Sequence, residues 1–288
     1  MHWLTEPFSN GFYQRALVAA LLIGFTNGYV SALVVLNKSA LKVGSLSHAL
    51  LPGIALSVLF FGLSAASAFF GALFAALLVG LLSVLIARNS RVDQDSALAI
   101  LWTAAFAGGL ILLNHLAVNQ ELENWLFGNI TGLADSDLLT VFAISAVTLL
   151  FLTLFQRPLL VMLFEPNVAQ SQGVPVRALN YIIFGVLAVV LIASAQAVGV
   201  ILALGMLVGP AATIFLYSNS ATWLFWGGGI LGAAASAMAL VIAYWFNLPP
   251  GATIVVTLGV LFLASFVLSP KYGLLRKYVR VHHEHPTG

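Results

Sequence analysis

The sequence contains no cysteine, and only 7% of its 288 residues are charged. The absence of cysteine excludes disulfides, thiolate metal sites and cysteine nucleophiles, so any metal must bind to oxygen or to imidazole nitrogen. The low charge, a hydrophobic fraction of 61% and a mean hydropathy of +1.05 exclude a water-soluble domain. The chain is therefore an integral membrane protein. Its net charge of +2 comes from scattered basic residues and gives no basis for a nucleic-acid partner.

Long apolar segments predict an all-α, polytopic membrane helix bundle that forms one domain over residues 1–288. Each segment has about the 20 residues that a helix needs to cross a hydrocarbon core of ~30 Å. The first segment follows no basic cluster, so we interpret it as a retained helix rather than a cleaved signal. The tight connection at 198–200 leaves both eight and nine spans open, since a bent or re-entrant helix fits it equally well. The predicted spans are 14–36, 46–63, 65–87, 95–114, 136–156, 178–198, 200–218, 222–246 and 252–269.

Charged residues predict the orientation of this bundle. The basic residues are separated by even numbers of spans, so they share one side, which the positive-inside rule assigns to the cytoplasm. This pattern predicts an outside N-terminus and a cytoplasmic C-terminal tail over 271–288; Arg15 is the exception. The basic set is Lys38, Lys42, Arg88, Arg91, Arg157, Arg177, Lys271, Arg276, Lys277 and Arg280, and the acidic set of the opposite side is Glu121, Glu123, Asp135 and Asp137.

Small residues recur at helical spacing in two of the late spans. Gly205 and Gly209 lie one turn apart, and Gly228, Gly232 and Ser236 form a stripe. Such stripes let helix backbones approach closely in lipid. We expect packing inside the bundle rather than a dimer seam.

His48 is the one histidine deep within a predicted span. Ser45 and Ser47 lie within a helical turn of it, and Pro52, four residues later, has no N–H to donate to its carbonyl oxygen. An imidazole surrounded by apolar sequence is costly and favours a position on a transport pathway. Neutral imidazole suits zinc, iron and related metals. The alternative is a histidine that is simply satisfied in the protein interior.

Other polar residues in the spans favour an aqueous route that includes Asn27 and Gln196 with His48. Their alternative role is interhelical hydrogen bonding, worth about 0.6 kcal/mol per contact. No carboxylate occupies a span centre, so an acidic proton relay has no candidate. The remaining members of this polar set are Thr26, Ser31, Thr103, Ser194 and Thr213.

The loop at 163–180 predicts a short helix on the cytoplasmic side. Pro166 suits a first helical turn, Glu165 suits the positive end of the dipole, and Gly173 suits the end of the helix. We interpret it as a docking element, the alternative being an ordinary turn. Two further histidine signals are weaker: His115 is interpreted as a solvated loop residue, and the tail sequence 282–285 as either a metal sensor or a segment without a binding role.

Several of these segments together resemble the permease subunits of the zinc, manganese and iron ABC importers. The resemblance covers nearly the whole chain, in the same order and spacing. It is carried by Ser45 to Gly53, Leu126 to Asn129, Glu165 to Arg177, Gln196 to Leu202 and Gly209 to Thr213.

The resemblance implies a homodimer in the bacterial inner membrane that imports a divalent transition metal. A cytoplasmic ABC ATPase dimer would bind ATP and dock on Glu165, Pro166, Gly173 and Arg177, and an extracytoplasmic solute-binding protein would deliver the metal. The chain holds no phosphate-binding loop of its own, so it is not an ATPase by that mechanism, and no permanently bound cofactor is expected. We expect Pro52 and Pro210 to act as helix hinges during transport.

One position departs from the resemblance. Members of this family carry an aspartate four residues before the histidine, where this chain has Gly44. A carboxylate at that spacing would share a helix face with His48. Its absence leaves Ser45 and Ser47 as substitutes and keeps open a permease for a metal chelate. An ATP-independent secondary metal carrier and a membrane scaffold without transport remain alternatives.

Overall fold

The computed structural model describes residues 11–62, 64–113 and 130–269. The described part is a bundle of α-helices without strands, and this confirms the predicted fold class. The helices are α1 (Gly11–Leu36), α2 (Ala40–Phe61), α3 (Ala65–Asn89), α4 (Gln94–Leu113), α5 (Asp135–Leu154), α6 (Gln156–Phe164), α7 (Pro166–Ser171), α8 (Val176–Val198), α9 (Val200–Phe215), α10 (Ala221–Phe246) and α11 (Pro250–Leu268), with a 3₁₀ turn at Ile130–Gly132 before α5.

Eight of the described helices are long and apolar enough to cross a membrane, and α9 is a shorter apolar helix. The predicted weak point at 198–200 is where α8 ends and α9 begins. Gly199 lies between them with a φ of +87°, which glycine adopts without the steric cost of a Cβ. With 16 residues, α9 spans about 24 Å, less than the hydrocarbon core. The prediction of eight or nine spans thus resolves into eight long helices and one short one.

The closest backbone packing in the described bundle joins α1 to α10. A Cβ on Gly24 would lie 2.6 Å from the carbonyl oxygen of Gly232, and a Cβ on Gly28 would overlap the carbonyl oxygen of Gly228. Ser236 completes the same face of α10 and is fully buried. The small-residue stripe therefore packs inside the bundle, as predicted.

Glycine and proline also fix α2 against its neighbours. The backbones of Gly53 in α2 and Gly71 in α3 are in contact, so neither position has room for a side chain. On the α4 side, a Cβ on Gly109 would lie 2.8 Å from Cα of Pro52. These contacts hold α2, α3 and α4 together, and buried residues of α2 and α3 join those of α1, α8 and α9 in the main core.

Ion pairs lie at the ends of the bundle. Arg15 Nε lies 3.1 Å from Asp135 Oδ1. Arg15, which is the exception to the predicted charge pattern, thus pairs with an acidic residue of the predicted outer side. Lys42 Nζ lies 3.9 Å from Asp95 Oδ1 near the start of α4. Both carboxylates and Arg15 are exposed, so each pair contributes about 1 kcal/mol or less to folding.

The start of α4 is capped by Asp93. Its carboxylate accepts hydrogen bonds from the Ser96 hydroxyl at 2.7 Å and from the Ser96 backbone N–H at 2.9 Å. These bonds, the hydroxyl contribution first, hold the pKa of Asp93 below its ordinary value. The cap fixes where α4 begins, and hence which of its side chains face α2.

Candidate functional site

His48 lies on an exposed face of α2 and is covered on one side by two aromatic rings of α4. Its imidazole stacks on the Trp102 indole with centroids 4.6 Å apart and an interplanar angle of 21°. The Phe106 ring meets it edge-on, with centroids 5.6 Å apart and an angle of 82°. Trp102 and Phe106 are one turn apart, so they form a continuous aromatic wall behind the imidazole. The other side of the ring is open at the surface of the protomer.

The two serines predicted beside His48 direct their hydroxyls back to their own helix. Ser45 Oγ donates to the Leu41 carbonyl at 2.9 Å, and Ser47 Oγ donates to the Gly44 carbonyl at 2.7 Å. A hydroxyl that donates in this way keeps its lone pairs as acceptors. Ser47 is only 4% exposed, whereas Ser45 is partly exposed. Ser45 is thus the more accessible of the two oxygens.

Open space lies at Gly44, one helical turn before His48. A Cβ built there meets no heavy atom within 4 Å. The absent carboxylate at this position is therefore not replaced by another group packed into its place. In this part of the described chain, the side chain that can bind a metal through nitrogen is therefore the imidazole of His48.

Asn27 lies in the interior, apart from the aromatic wall. It is fully buried in α1; its Oδ1 accepts from Ser194 Oγ at 3.0 Å, and its Nδ2 donates to Met206 Sδ at 3.9 Å. Gln196 is partly buried two residues beyond Ser194 on α8. The contacts of Asn27 are therefore with α8 and α9, while those of His48 are with α4. The structure thus places the predicted polar residues at two locations within one protomer.

A small cavity of about 10 Å³ lies beside this interior network, between α1, α5 and α8. Thr26, Ser145 and Ser194 contribute hydroxyl-bearing side chains to its lining. The Thr26 hydroxyl is buried without a hydrogen-bond partner in the structure. A cavity of this size is at the lower limit for one water molecule.

Both predicted hinge prolines are buried inside helices. Pro52 packs against Gly109 of α4. One residue after Pro210, the backbone N–H of Ala211 donates to Ser31 Oγ at 3.0 Å, and Ser31 Oγ in turn donates to the Gly28 carbonyl at 2.6 Å. Each proline site is thus supported by a neighbouring helix.

The predicted short helix in the 163–180 loop is confirmed as α7, with Pro166 at its first position. Gly173 ends it with a φ of +79°; its N–H donates to the Gln170 carbonyl, and the Val174 N–H donates to the Ala169 carbonyl. These two bonds form a Schellman motif, which satisfies the last carbonyls of the helix. Glu165 precedes the helix and Arg177 is the second residue of α8, and both are exposed.

Other predicted elements lie outside the described residues. They are Glu121 and Glu123, His115, the segment 126–129, and the tail 271–288 with its histidines at 282–285. In the described part of the chain, no three histidine or acidic side chains come together as a metal site.

Sequence reasoning missed Trp102 and Phe106. On α4 it selected Thr103, whose hydroxyl donates to the Ala99 carbonyl of the same helix at 2.7 Å. The available signal was an aromatic pair at a spacing of four. That spacing identifies one helix face but does not identify the neighbouring helix that it contacts.

Comparison with known proteins covers almost the whole chain. The profile of the ABC 3 transport family matches residues 9–269. The chain is 34% identical to the manganese transport system membrane protein MntC of Halalkalibacterium halodurans, over 96% of this chain and 93% of that protein. It is 37% identical to the manganese import system permease protein ScaB of Streptococcus parasanguinis, over 90% of this chain and 91% of that protein. The solved structure of PsaBC from Streptococcus pneumoniae in complex with a Fab aligns with a TM-score of 0.85 and 33% identity, over 98% of this chain and 99% of that one.

Proposed function

The chain belongs to the ABC 3 transport family, and we propose that it imports a divalent transition metal, manganese first, into the cytoplasm. As a member, it is a permease subunit without an ATPase site of its own, and ATP is hydrolysed by a partner. It is a multi-pass protein of the bacterial inner membrane. The observation that carries the proposal is the similarity to manganese permeases over more than nine-tenths of the chain.

Ligand chemistry at His48 fits the wider set of manganese, zinc and iron, and the preference for manganese rests on the relatives. The His48 region offers one imidazole, which suits zinc and iron, beside hydroxyl and carbonyl oxygens, which suit Mn²⁺. A site with few protein ligands also suits a cargo that must be released rapidly.

We place His48 on the translocation route because its open side faces away from its own protomer. A second copy of the chain would bring a second His48 to the same route, so the ion would meet imidazoles from two protomers. Ser45 would add the nearest accessible oxygen, and Ser47 a more buried one. Asn27 and Gln196 would act deeper in the bundle, by responding to movement of α8 and α9 rather than by contacting the ion beside His48.

Coupling to the ATPase would occur through α7. Phe164 and Val168 are 59% and 43% exposed at this end of the bundle, and apolar side chains at such a surface favour a protein partner. The same loop carries the exposed Glu165 and Arg177, which have opposite charges. Movement of α7 would be transmitted through α8 to the bundle. There Pro52 and Pro210 lie inside continuous helices, where each lacks a backbone N–H donor and would permit bending.

The test is transport in proteoliposomes that contain the permease with its ATPase and solute-binding protein. We expect Mn²⁺ uptake to require ATP and to fall to background in His48→Ala. The matched control, Thr103→Ala, removes an exposed hydroxyl that bonds within α4 and should transport normally.

Three results would change the assignment. Uptake by the permease alone, down a gradient, would identify a secondary carrier. Uptake of a metal chelate in preference to free Mn²⁺ would change the assigned substrate to that chelate. Preference for Zn²⁺ or Fe²⁺ in competition would change it to that metal. Full Mn²⁺ uptake by His48→Ala would remove that residue from the route.

A further inference from the structure

A cavity of about 520 Å³ lies between α2, α3 and α8, at the end of the bundle that carries α7. Its lining combines polar residues with an apolar wall. The polar residues include Lys42, Arg88, Arg177 and Tyr181, and the apolar wall includes Leu77, Leu81 and Phe184.

The charged residues that line the cavity are all basic: Lys42, Arg88 and Arg177. Asp95, 3.9 Å from Lys42 Nζ, compensates one of them in part. Arg88 Nη2 donates to the Tyr181 hydroxyl at 3.2 Å, a neutral partner that leaves its charge uncompensated. No carboxylate of the described residues lies within ion-pair distance of Arg88 or Arg177. Two guanidinium groups therefore face one cavity with excess positive charge.

The apolar wall continues onto the outer surface of the bundle. Leu81 and Leu85 on α3 are 57% and 56% exposed, and Ile182 on α8 is 44% exposed. These helices cross the membrane, so their exposed apolar faces suit acyl chains. A ligand that combines a phosphate with a hydrocarbon chain would place each part against matching chemistry.

The cavity is distinct from the proposed metal route. On α2, Lys42, Val43 and Leu46 line it. At 100° per residue, His48 points away from that group and toward α4. A ligand in the cavity would therefore bind on the opposite side of α2 from the imidazole.

We propose that this cavity binds the phosphate of an anionic phospholipid from the leaflet on the α7 side. Guanidinium groups bind phosphate oxygens through paired hydrogen bonds, and basic pockets between membrane helices on the cytoplasmic side bind anionic headgroups. The lipid would bridge α3 and α8 beside the helix that we assign to ATPase docking. This proposal rests on the membrane location of the chain and does not depend on which metal is transported.

The test measures phosphatidylglycerol binding to the permease–ATPase complex by native mass spectrometry, with phosphatidylcholine as the zwitterionic comparison. The variant is Arg88→Gln, because Arg177 is also assigned to the ATPase surface. The matched control is Arg91→Gln, which removes one exposed basic residue that does not line the cavity. We expect the cavity variant to bind phosphatidylglycerol roughly fivefold more weakly, and the control to bind as the unmodified protein does.

A third variant, Arg88→Lys, separates charge from folding, since it should retain most of the binding. Equal losses in the cavity variant and the control would reduce the effect to general surface charge and overturn the proposal. Unchanged binding in the cavity variant would also overturn the proposal, and it is the result expected if a second protein copy covers the cavity. Displacement of phosphatidylglycerol by an equal concentration of glycerol 3-phosphate would instead identify a site for soluble phosphate.

Discussion

The imidazole of His48 lies nearly parallel to the indole of Trp102, with their ring centroids 4.6 Å apart. The two residues belong to different helices, α2 and α4, which are held together where Pro52 meets Gly109. The stack covers one face of the imidazole and leaves its other side toward the open surface. Trp102 is therefore a positioning residue for the histidine that we place on the metal route.

Replacing Trp102 should impair transport through the orientation of His48. Aromatic stacking contributes about 0.5–1.5 kcal/mol, so we expect Trp102→Ala to raise the KM for Mn²⁺ by roughly threefold to tenfold, with a smaller change in maximal rate. Trp102→Phe keeps a ring and should recover most of the affinity. The control is Trp223→Ala, because Trp223 is 63% exposed on α10. Equal KM values for Trp102→Ala and the unmodified protein would contradict the positioning role.

Restoring a carboxylate at Gly44 should strengthen metal binding and slow release. The space at Gly44 admits a side chain, and an aspartate there would share a helix face with His48. We expect Gly44→Asp to lower the KM for Mn²⁺ by roughly tenfold or more and to reduce the maximal uptake rate. Gly44→Asn has the same shape without the charge and should change the KM much less. Identical kinetics for the aspartate and asparagine variants would show that no ion passes within reach of this position.

The end of α7 should matter for coupling rather than for metal binding. Gly173→Ala places a Cβ on a residue with a φ of +79°, at a local cost of about 1–2 kcal/mol. We expect ATP hydrolysis to become less dependent on transported metal, while Mn²⁺ binding stays normal. Gly62→Ala is the control for backbone strain away from α7, because Gly62 has a φ of +77° and a ψ of 173° at the far end of α2, where an alanine is at least as strained. Equal uncoupling by both variants would show a general effect of strain and not a role for α7.

The helix ends were accessible from sequence because their signals are local. Gly173 and Pro166 bound α7, and Gly199 separates α8 from α9, as their backbone preferences predict. Side-chain neighbours were less accessible, because the spacing on one helix does not reveal which helix lies opposite. Asn27 and His48 are both polar residues in apolar spans, yet one contacts Ser194 and Met206 and the other contacts Trp102.

Two further differences between the sequence predictions and the structure have physical causes of their own. The short α6 follows α5 directly, since Phe155 ends one helix and precedes the next, and hydropathy alone does not detect such a break. Arg15 appeared misplaced because its partner, Asp135, is distant in sequence and adjacent only in the fold. The first difference is a local change of backbone at Phe155, and the second is a three-dimensional contact.

The contact between α1 and α10 should tolerate no added methyl group. We expect Gly28→Ala to lower the free energy of unfolding by about 1–3 kcal/mol, because its Cβ would overlap the carbonyl of Gly228. Gly185→Ala provides the control: it is also mid-helix, but its Cβ would meet no atom within 4 Å. Thermal unfolding of the purified protein in detergent measures the difference. A midpoint for Gly28→Ala equal to that of Gly185→Ala would mean that α1 and α10 can separate without cost.

Ser31 connects this same glycine contact to the proline in α9. Its hydroxyl accepts from the Ala211 N–H and donates to the Gly28 carbonyl, so Ser31→Ala leaves a buried N–H without that acceptor. The expected loss in the free energy of unfolding is about 1–3 kcal/mol, seen as a lower unfolding midpoint.

Ser236→Ala is the matched control, because Ser236 is equally buried but its hydroxyl donates within α10, to the Gly232 carbonyl. A larger loss for Ser31→Ala, together with altered transport, would show that α1 supports α9 at Pro210. Equal losses would show that the Ala211 N–H is satisfied within α9, and Pro210 would then act without α1.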